Sequence, residues 1–343
     1  MIKKYQSYLF SVIMIFCCHY LWATDIDKLQ TECNQGKIES CGTLGNLYET
    51  GNGVLQDYST AKKLYEKSCN NGFMKSCNAL GLLYQNGKGL KQDYKKANEL
   101  FEKSCTNDDS WGCGLLGHAY YYGKGIPQNY SKAKELLEKS CSCGYYLSCG
   151  ALGFLYEKGN GVSQNYLKAK ELYEKACNEN IDLGCFYLGL LYANGRGVKQ
   201  DYIKAKQLYE KSCNGSIIES CTNLGLLYEK GNGVKQDYRQ AKKLYEKSCN
   251  GNDILGCTSL GGLYLNSNGV QQDYIKAKKL FEKSCDKKEG ISCNILGTLY
   301  AEGKGVKQNQ IKAKEYFEKS CQLGANTGCT NLNILYKNQN IDK

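Results

Sequence analysis

The chain has 343 residues, 42% of them hydrophobic and 23% charged, and a formal net charge of +11. That balance belongs to a folded chain and excludes a disordered polyelectrolyte. The single proline, Pro127, excludes a proline-rich linker and suits helices joined by short turns.

The first predicted element is a leader. Met1-Ile-Lys-Lys precedes an apolar run from Tyr8 to Trp22, the basic and hydrophobic regions of a signal peptide over residues 1–23, cleaved after Ala23. The alternative is an uncleaved anchor, but the run is shorter than the roughly 20 residues a spanning helix needs. A lipidated Cys17 or Cys18 would want small residues where Ile15 and Phe16 stand. Cleavage removes Lys3 and Lys4, which lowers the charge from +11 to +9. No later stretch is apolar enough to cross a membrane.

From Cys33 onward one pattern recurs every 36 residues. Its anchor is a pair of cysteines with seven residues between them: Cys33–Cys41, Cys69–Cys77, Cys105–Cys113, Cys141–Cys149, Cys177–Cys185, Cys213–Cys221, Cys249–Cys257, Cys285–Cys293 and Cys321–Cys329. A period of this length marks a solenoid. A cysteine pair in every unit implies folding where thiols are oxidised, so the expected location is secreted or periplasmic. Cys143 is left over as a stray thiol or a route to a disulfide-linked dimer of an otherwise monomeric chain.

Positions are counted from the second cysteine of each pair. Leu stands at +3 in every unit, Gly at +4 in all but the last, an apolar residue at +6 and Tyr at +7. Positions 0, +3, +4 and +7 share one helical face, which defines helix A. The glycine at +4 costs helix propensity and predicts a close helix approach. Helix A stops at a Gly-x-Gly such as Gly51-Asn52-Gly53. Asp or Asn at +16, as in Asp57, Asp93 and Asn129, then caps helix B. Helix B reads Tyr58, Ala61, Leu64, Tyr65, Cys69, with Lys62 and Glu66 paired on its outer face. It ends at the first cysteine of the next pair, so the expected disulfide staples each B-to-A turn. The chain therefore divides into a half helix B at 25–36, then repeats 37–72, 73–108, 109–144, 145–180, 181–216, 217–252, 253–288 and 289–324, and a capping helix at 325–343.

The L-G-x-L-Y, G-x-G-V and A-K-x-L-Y-E-K-S-C segments resemble the Sel-one-like repeat, a relative of the tetratricopeptide repeat. With the C-x7-C spacing the chain is similar to the secreted Helicobacter cysteine-rich protein family, over residues 25–338. The resemblance implies an all-α, right-handed α/α superhelix with one disulfide per unit. It also implies a weak β-lactamase or penicillin-binding activity toward β-lactams or peptidoglycan fragments.

The residues themselves support little catalysis. The seven-residue gap is wrong for zinc, and the sequence calls for no metal or other cofactor. Ser59-Thr60-Ala61-Lys62 and Ser131-Lys132-Ala133-Lys134 match S-x-x-K, but both lysines belong to the repeat and no S-D-N or K-T-G follows. His118 has no nucleophile set beside it by sequence. Twenty of the 29 tyrosines occupy the periodic positions +7, +17 and +24, which argues for packing and against a nucleic-acid stacking surface.

Helix A is expected to line the concave surface, with +1, +2, +5, +8 and +9 open to a ligand. Those positions hold Asn78, His118, Tyr121, Tyr122, Phe154, Phe186, Tyr187, Asn194, Asn223 and Asn294. Aromatic anchors among polar groups predict a peptide- or protein-binding scaffold.

Overall fold

Each 36-residue unit folds into two 13-residue helices because its capping residues recur in register with its apolar stripe. The computed structural model describes residues 25–341, all helices and turns with no strand among them. In chain order the helices are α1 (residues 25–34), α2 (Ile38–Thr50), α3 (Tyr58–Asn70), α4 (Met74–Asn86), α5 (Tyr94–Thr106), α6 (Ser110–Tyr122), α7 (Tyr130–Ser142), α8 (Tyr146–Lys158) and α9 (Tyr166–Asn178). They continue as α10 (Asp182–Asn194), α11 (Tyr202–Asn214), α12 (Ile218–Lys230), α13 (Tyr238–Asn250), α14 (Ile254–Asn266), α15 (Tyr274–Asp286), α16 (Gly290–Glu302), α17 (Gln310–Gln322) and α18 (Asn326–Ile341). Even numbers are the A helices and odd numbers the B helices. The expected leader, residues 1–23, lies outside the described residues. The helices gather into two units, one running to Leu172 and the other starting at Tyr173.

Capping follows the sequence. Asp57 accepts from the backbone N–H of Ser59 at 2.9 Å and of Thr60 at 3.2 Å, holding the start of α3. Gly51 ends α2 at φ 73°, a left-handed value that suits glycine, and its N–H bonds Leu47 O. A further ladder was not foreseen. In all eight A-to-B loops a glutamine at +15 donates its side-chain N–H to the carbonyl at +8, at 2.7–2.9 Å, as Gln56 does to Glu49. It satisfies an orphan carbonyl at the end of helix A.

Asp109, Asp253 and Glu289 cap α6, α14 and α16 in the same way, but five other A-helix starts are held differently. Lys37, Phe73, Tyr145, Ile181 and Ile217 stand at N-cap positions without a side-chain hydrogen bond. What pins these turns is sulfur. All nine expected disulfides are present, with Cα–Cα distances of 4.4–4.9 Å across the B-to-A turn.

Within each repeat the alanine at +20 and the residue at +24, a ring in every repeat but the third, where it is Leu137, fill the A–B contact. Ala241 and Tyr245 are fully buried, and a Cβ on Gly225 would stand 2.6 Å from the Tyr245 ring. The close approach expected at +4 is therefore real. In two repeats with Glu at +8 the buried tyrosine hydroxyl has it as acceptor: Tyr65 donates to Glu49 at 2.9 Å and Tyr245 to Glu229 at 2.6 Å. Burial and these carboxylates raise both phenols well above their ordinary range.

Successive repeats are joined by lysine. In the first unit Lys67 Nζ donates to Cys33 O at 2.9 Å and Lys103 Nζ to Cys69 O at 3.1 Å. In the second, Lys211 reaches Cys177 O at 2.7 Å, Lys247 reaches Cys213 O at 2.7 Å and Lys283 reaches Cys249 O at 2.8 Å. Each cation sits at the negative end of the preceding B helix, beside its disulfide, so the charge complements the helix dipole across a repeat boundary.

Candidate functional site

In the first unit, α6 and α8 bring an aromatic cluster together. Tyr121 meets Tyr122 edge-on at 4.7 Å between ring centroids and Phe154 at 6.4 Å. His118 stacks on Tyr122 at 6.4 Å, and Tyr130 at the start of α7 closes on Tyr121 at 5.4 Å. These spacings are within the range of favourable ring pairs. Two cations stand over ring faces: Lys124 over Tyr122 at 5.5 Å and Lys158 over Phe154 at 5.1 Å. Asn160, from the turn after α8, donates to the Tyr121 hydroxyl at 3.0 Å. Tyr122 is 60% exposed, while His118, Tyr121 and Phe154 are half-buried. The helical period explains the grouping: +5, +8 and +9 of α6 lie on adjoining strips of one face and meet +5 of α8. Sequence reasoning named these four side chains but missed Tyr130, Asn160 and the two lysines.

Burial lowers the His118 imidazole below its ordinary value of 6.5, with Lys124 adding a smaller push. A depressed base favours the unfolded chain as soon as that chain can protonate. Its stability contribution is therefore intact above pH 6.5 and is lost as pH falls toward the folded value. The wild type should lose more melting temperature than His118→Phe between pH 7 and 5, a window of about two units around the free imidazole value. Parallel thermal melts at each pH check it; equal losses would show that His118 does not titrate in this way.

In the second unit Phe186 and Tyr187 are half-buried neighbours, 5.3 Å apart. Tyr187 stacks on Tyr173 at 5.3 Å, and Phe186 approaches Tyr209 at 6.4 Å. Both rings are built into the packing of α10 against α9 and α11. Asn194 is exposed at the end of α10, and the half-buried Asn223 bonds the Glu219 carbonyl of its own helix at 3.0 Å.

Position +1 requires a correction. It was expected to be open surface, yet Asn78 is fully buried and its amide donates to Asp109 at 2.8 Å. Asp109 caps the next A helix through Gly112 N–H. Thr258 likewise bonds Ser292 at 2.9 Å, and Asn294 accepts from Asn331 at 2.8 Å. In these repeats position +1 therefore faces the next A helix, and Asn78 belongs to a repeat junction inaccessible to a ligand, whereas Phe186, also at +1, lies half-buried against Tyr209. The signal for this lies some 30 residues downstream of each +1 residue, beyond any single helical face.

The two S-x-x-K matches gain no catalytic surroundings. Ser59 and Ser131 stand exposed in the first turns of α3 and α7. Lys62 pairs with Glu66 at 3.4 Å and Lys134 with Glu138 at 3.0 Å. The hydrogen bond to Glu138 raises the Lys134 ammonium above its ordinary value, the opposite of what a proton acceptor for a serine needs. Cys143 is an exposed thiol at the end of α7. No helix among the described residues is long and apolar enough to cross a membrane.

Comparison with known proteins fits this arrangement. The Sel1 repeat profile matches residues 39–73, 75–109, 112–145, 147–181, 183–216, 218–253, 254–288 and 290–324. Among solved structures, a protective antigen present in uropathogenic Escherichia coli strains and displaying an SLR fold is 26% identical, with a TM-score of 0.72 over 91% of this chain and 67% of that one. A Sel1 repeat protein from Oxalobacter formigenes is 24% identical, with a TM-score of 0.63 over 92% of this chain and 93% of that one. Helicobacter pylori cysteine rich protein B is 28% identical, with a TM-score of 0.31 over 37% of this chain and 96% of that one. A search of curated proteins finds no match.

Proposed function

The chain belongs to the Sel1 repeat family, and we propose that it is an exported scaffold that binds a peptide or protein segment on the helix-A face of its first unit. The observation that carries this reading is the exposed Tyr122 ring, held by Tyr121 and His118 beside Phe154. Aromatic residues on a rigid frame lose little conformational freedom on contact, which is why they dominate binding hot spots. The ammonium groups of Lys124 and Lys158 stand at the cluster's border. The partner segment that fits carries an apolar anchor for the rings and a carboxylate for the lysines. Export is supported by nine disulfides, which need an oxidising compartment, and by the leader-like residues 1–23. The similar Escherichia coli chain described as a protective antigen accords with export, since antibodies must reach such a protein.

The test is selection from a displayed random peptide library on immobilised leader-free protein. Selected peptides should bind saturably, carry an aromatic or aliphatic residue near an acid, and lose at least about tenfold in affinity to the Tyr122→Ala/Phe154→Ala variant. The variant's thermal melt controls for folding. Peptides that bind wild type and variant alike would place recognition elsewhere and overturn the reading.

A further inference from the structure

The second unit carries a surface feature that the helix-A face does not use. Its B helices lie side by side in one direction: lysine-to-carbonyl bonds join α13 to α11 and α15 to α13, and Lys319 of α17 pairs with Asp286 at the end of α15 at 3.5 Å. The second residues of α11, α13, α15 and α17 therefore stand along one edge. Three of them are isoleucines in water: Ile203 and Ile275 are 60% exposed and Ile311 is 73% exposed. Each is followed by a lysine: Lys204, Lys276 or Lys312. The fourth residue, in α13, is Arg239.

Arg239 opens a cleft of about 670 Å³ between α13 and the turn leading into α15. Lys242, Lys243 and Lys276 join it there, against the carboxylates of Glu246 and Asp273, so four cations face two acids. Both acids are already engaged, Glu246 by Lys242 at 3.4 Å and Asp273 by Lys276 at 3.4 Å. The floor is Tyr264, with Lys276 above its ring at 5.3 Å. What makes this cleft unusual is Arg239, which replaces the isoleucine of the neighbouring B helices; Lys243 is matched by Lys279 of α15, where α11 has Gln207 and α17 has Glu315.

We propose that this edge docks on an anionic lipid surface, with the isoleucines entering the headgroup layer and the Arg239 cleft receiving lipid phosphate. A protein partner would favour one contiguous apolar patch. Here single aliphatic side chains alternate with cations in a row, the pattern that suits an interface apolar below and negatively charged above. Neither signal suffices alone; a few isoleucines insert weakly, and charge supplies the attraction that brings them in. The charge of +9 left once Lys3 and Lys4 are subtracted from the +11 of the full chain points the same way.

Leader-free protein is sedimented with vesicles of phosphatidylcholine alone and with vesicles also containing phosphatidylglycerol. Binding should need phosphatidylglycerol and be lost in about 0.5 M salt. Arg239→Gln/Lys243→Gln and the triple variant Ile203→Ser/Ile275→Ser/Ile311→Ser should each weaken it by at least about tenfold. All five substitutions are at the surface, so unchanged melting profiles show that folding is intact. Equal binding to both vesicle types, or unchanged binding by either variant, overturns the proposal. So does a cleft that takes inorganic phosphate or an acidic peptide while the protein ignores vesicles, which would assign it to a soluble anion. The edge and its variants lie outside the α6–α8 cluster, so this result is independent of the peptide selection.

Discussion

Leader-free protein treated with an alkylating agent under native, non-reducing conditions takes up one label, at Cys143; after reduction and unfolding it takes up nineteen. The larger number is the 21 cysteines of the chain less Cys17 and Cys18, which fall within the expected leader. The reduced chain then fails to show the cooperative melt of the oxidised one. Each disulfide closes a short loop and contributes about 2.5 kcal/mol on the chain-entropy account. Nine of them amount to roughly 20 kcal/mol, above the ~5–15 kcal/mol that is the whole net stability of an ordinary domain. Five A-helix starts have no side-chain cap, so sulfur is what fixes their entry angle. A single staple is a milder and more local test. Cys213→Ala/Cys221→Ala should cost about 2.5 kcal/mol and open α11 and α12 first in hydrogen exchange, because a repeat array couples mainly to its neighbours. A reduced, alkylated chain that melts within about 5 °C of the oxidised one would sink the idea that the disulfides hold the array together.

Tyr245→Ala should destabilise the second unit by about 3–5 kcal/mol in urea unfolding, the range for deleting a fully buried ring. The ring is 0% exposed and lies against Gly225, where a Cβ would stand 2.6 Å from it. Tyr245→Phe keeps the ring but removes the donor to the half-buried Glu229, a loss of about 1.5 kcal/mol. Gly225→Val overfills the same contact and should cost about 1–3 kcal/mol alone. The two sites share one space, so the valine fills part of the cavity left by Tyr245→Ala. The double variant should therefore be at least about 1 kcal/mol more stable than the sum of the single losses implies. Strict additivity would show that the glycine at +4 is not there to admit the ring.

Much of the fold was legible in the sequence because its determinants are local. Asp57 caps α3 from one residue away, Gly51 ends α2, and the cysteines of each staple are eight residues apart. The glutamine at +15 was equally periodic, but its role is visible only once the A-to-B turn brings it back to the carbonyl at +8. In the candidate site, His118, Tyr121, Tyr122 and Phe154 were legible as variable aromatic positions on one helical face. Asn78 was misread because a helical wheel shows which side of a helix a residue occupies, but does not show what lies on that side.

The sequence alone determined the period, the helix pairs, their caps and the disulfide register, since each is a relation among residues within one 36-residue unit. Tertiary structure decided the relations between units. It buried Asn78 against Asp109, laid Lys247 on the carbonyl of Cys213, and closed Asn160 over Tyr121. Those contacts join residues 31 to 39 positions apart. They depend on how one repeat is rotated and seated on the next, a quantity set by the packing of whole faces.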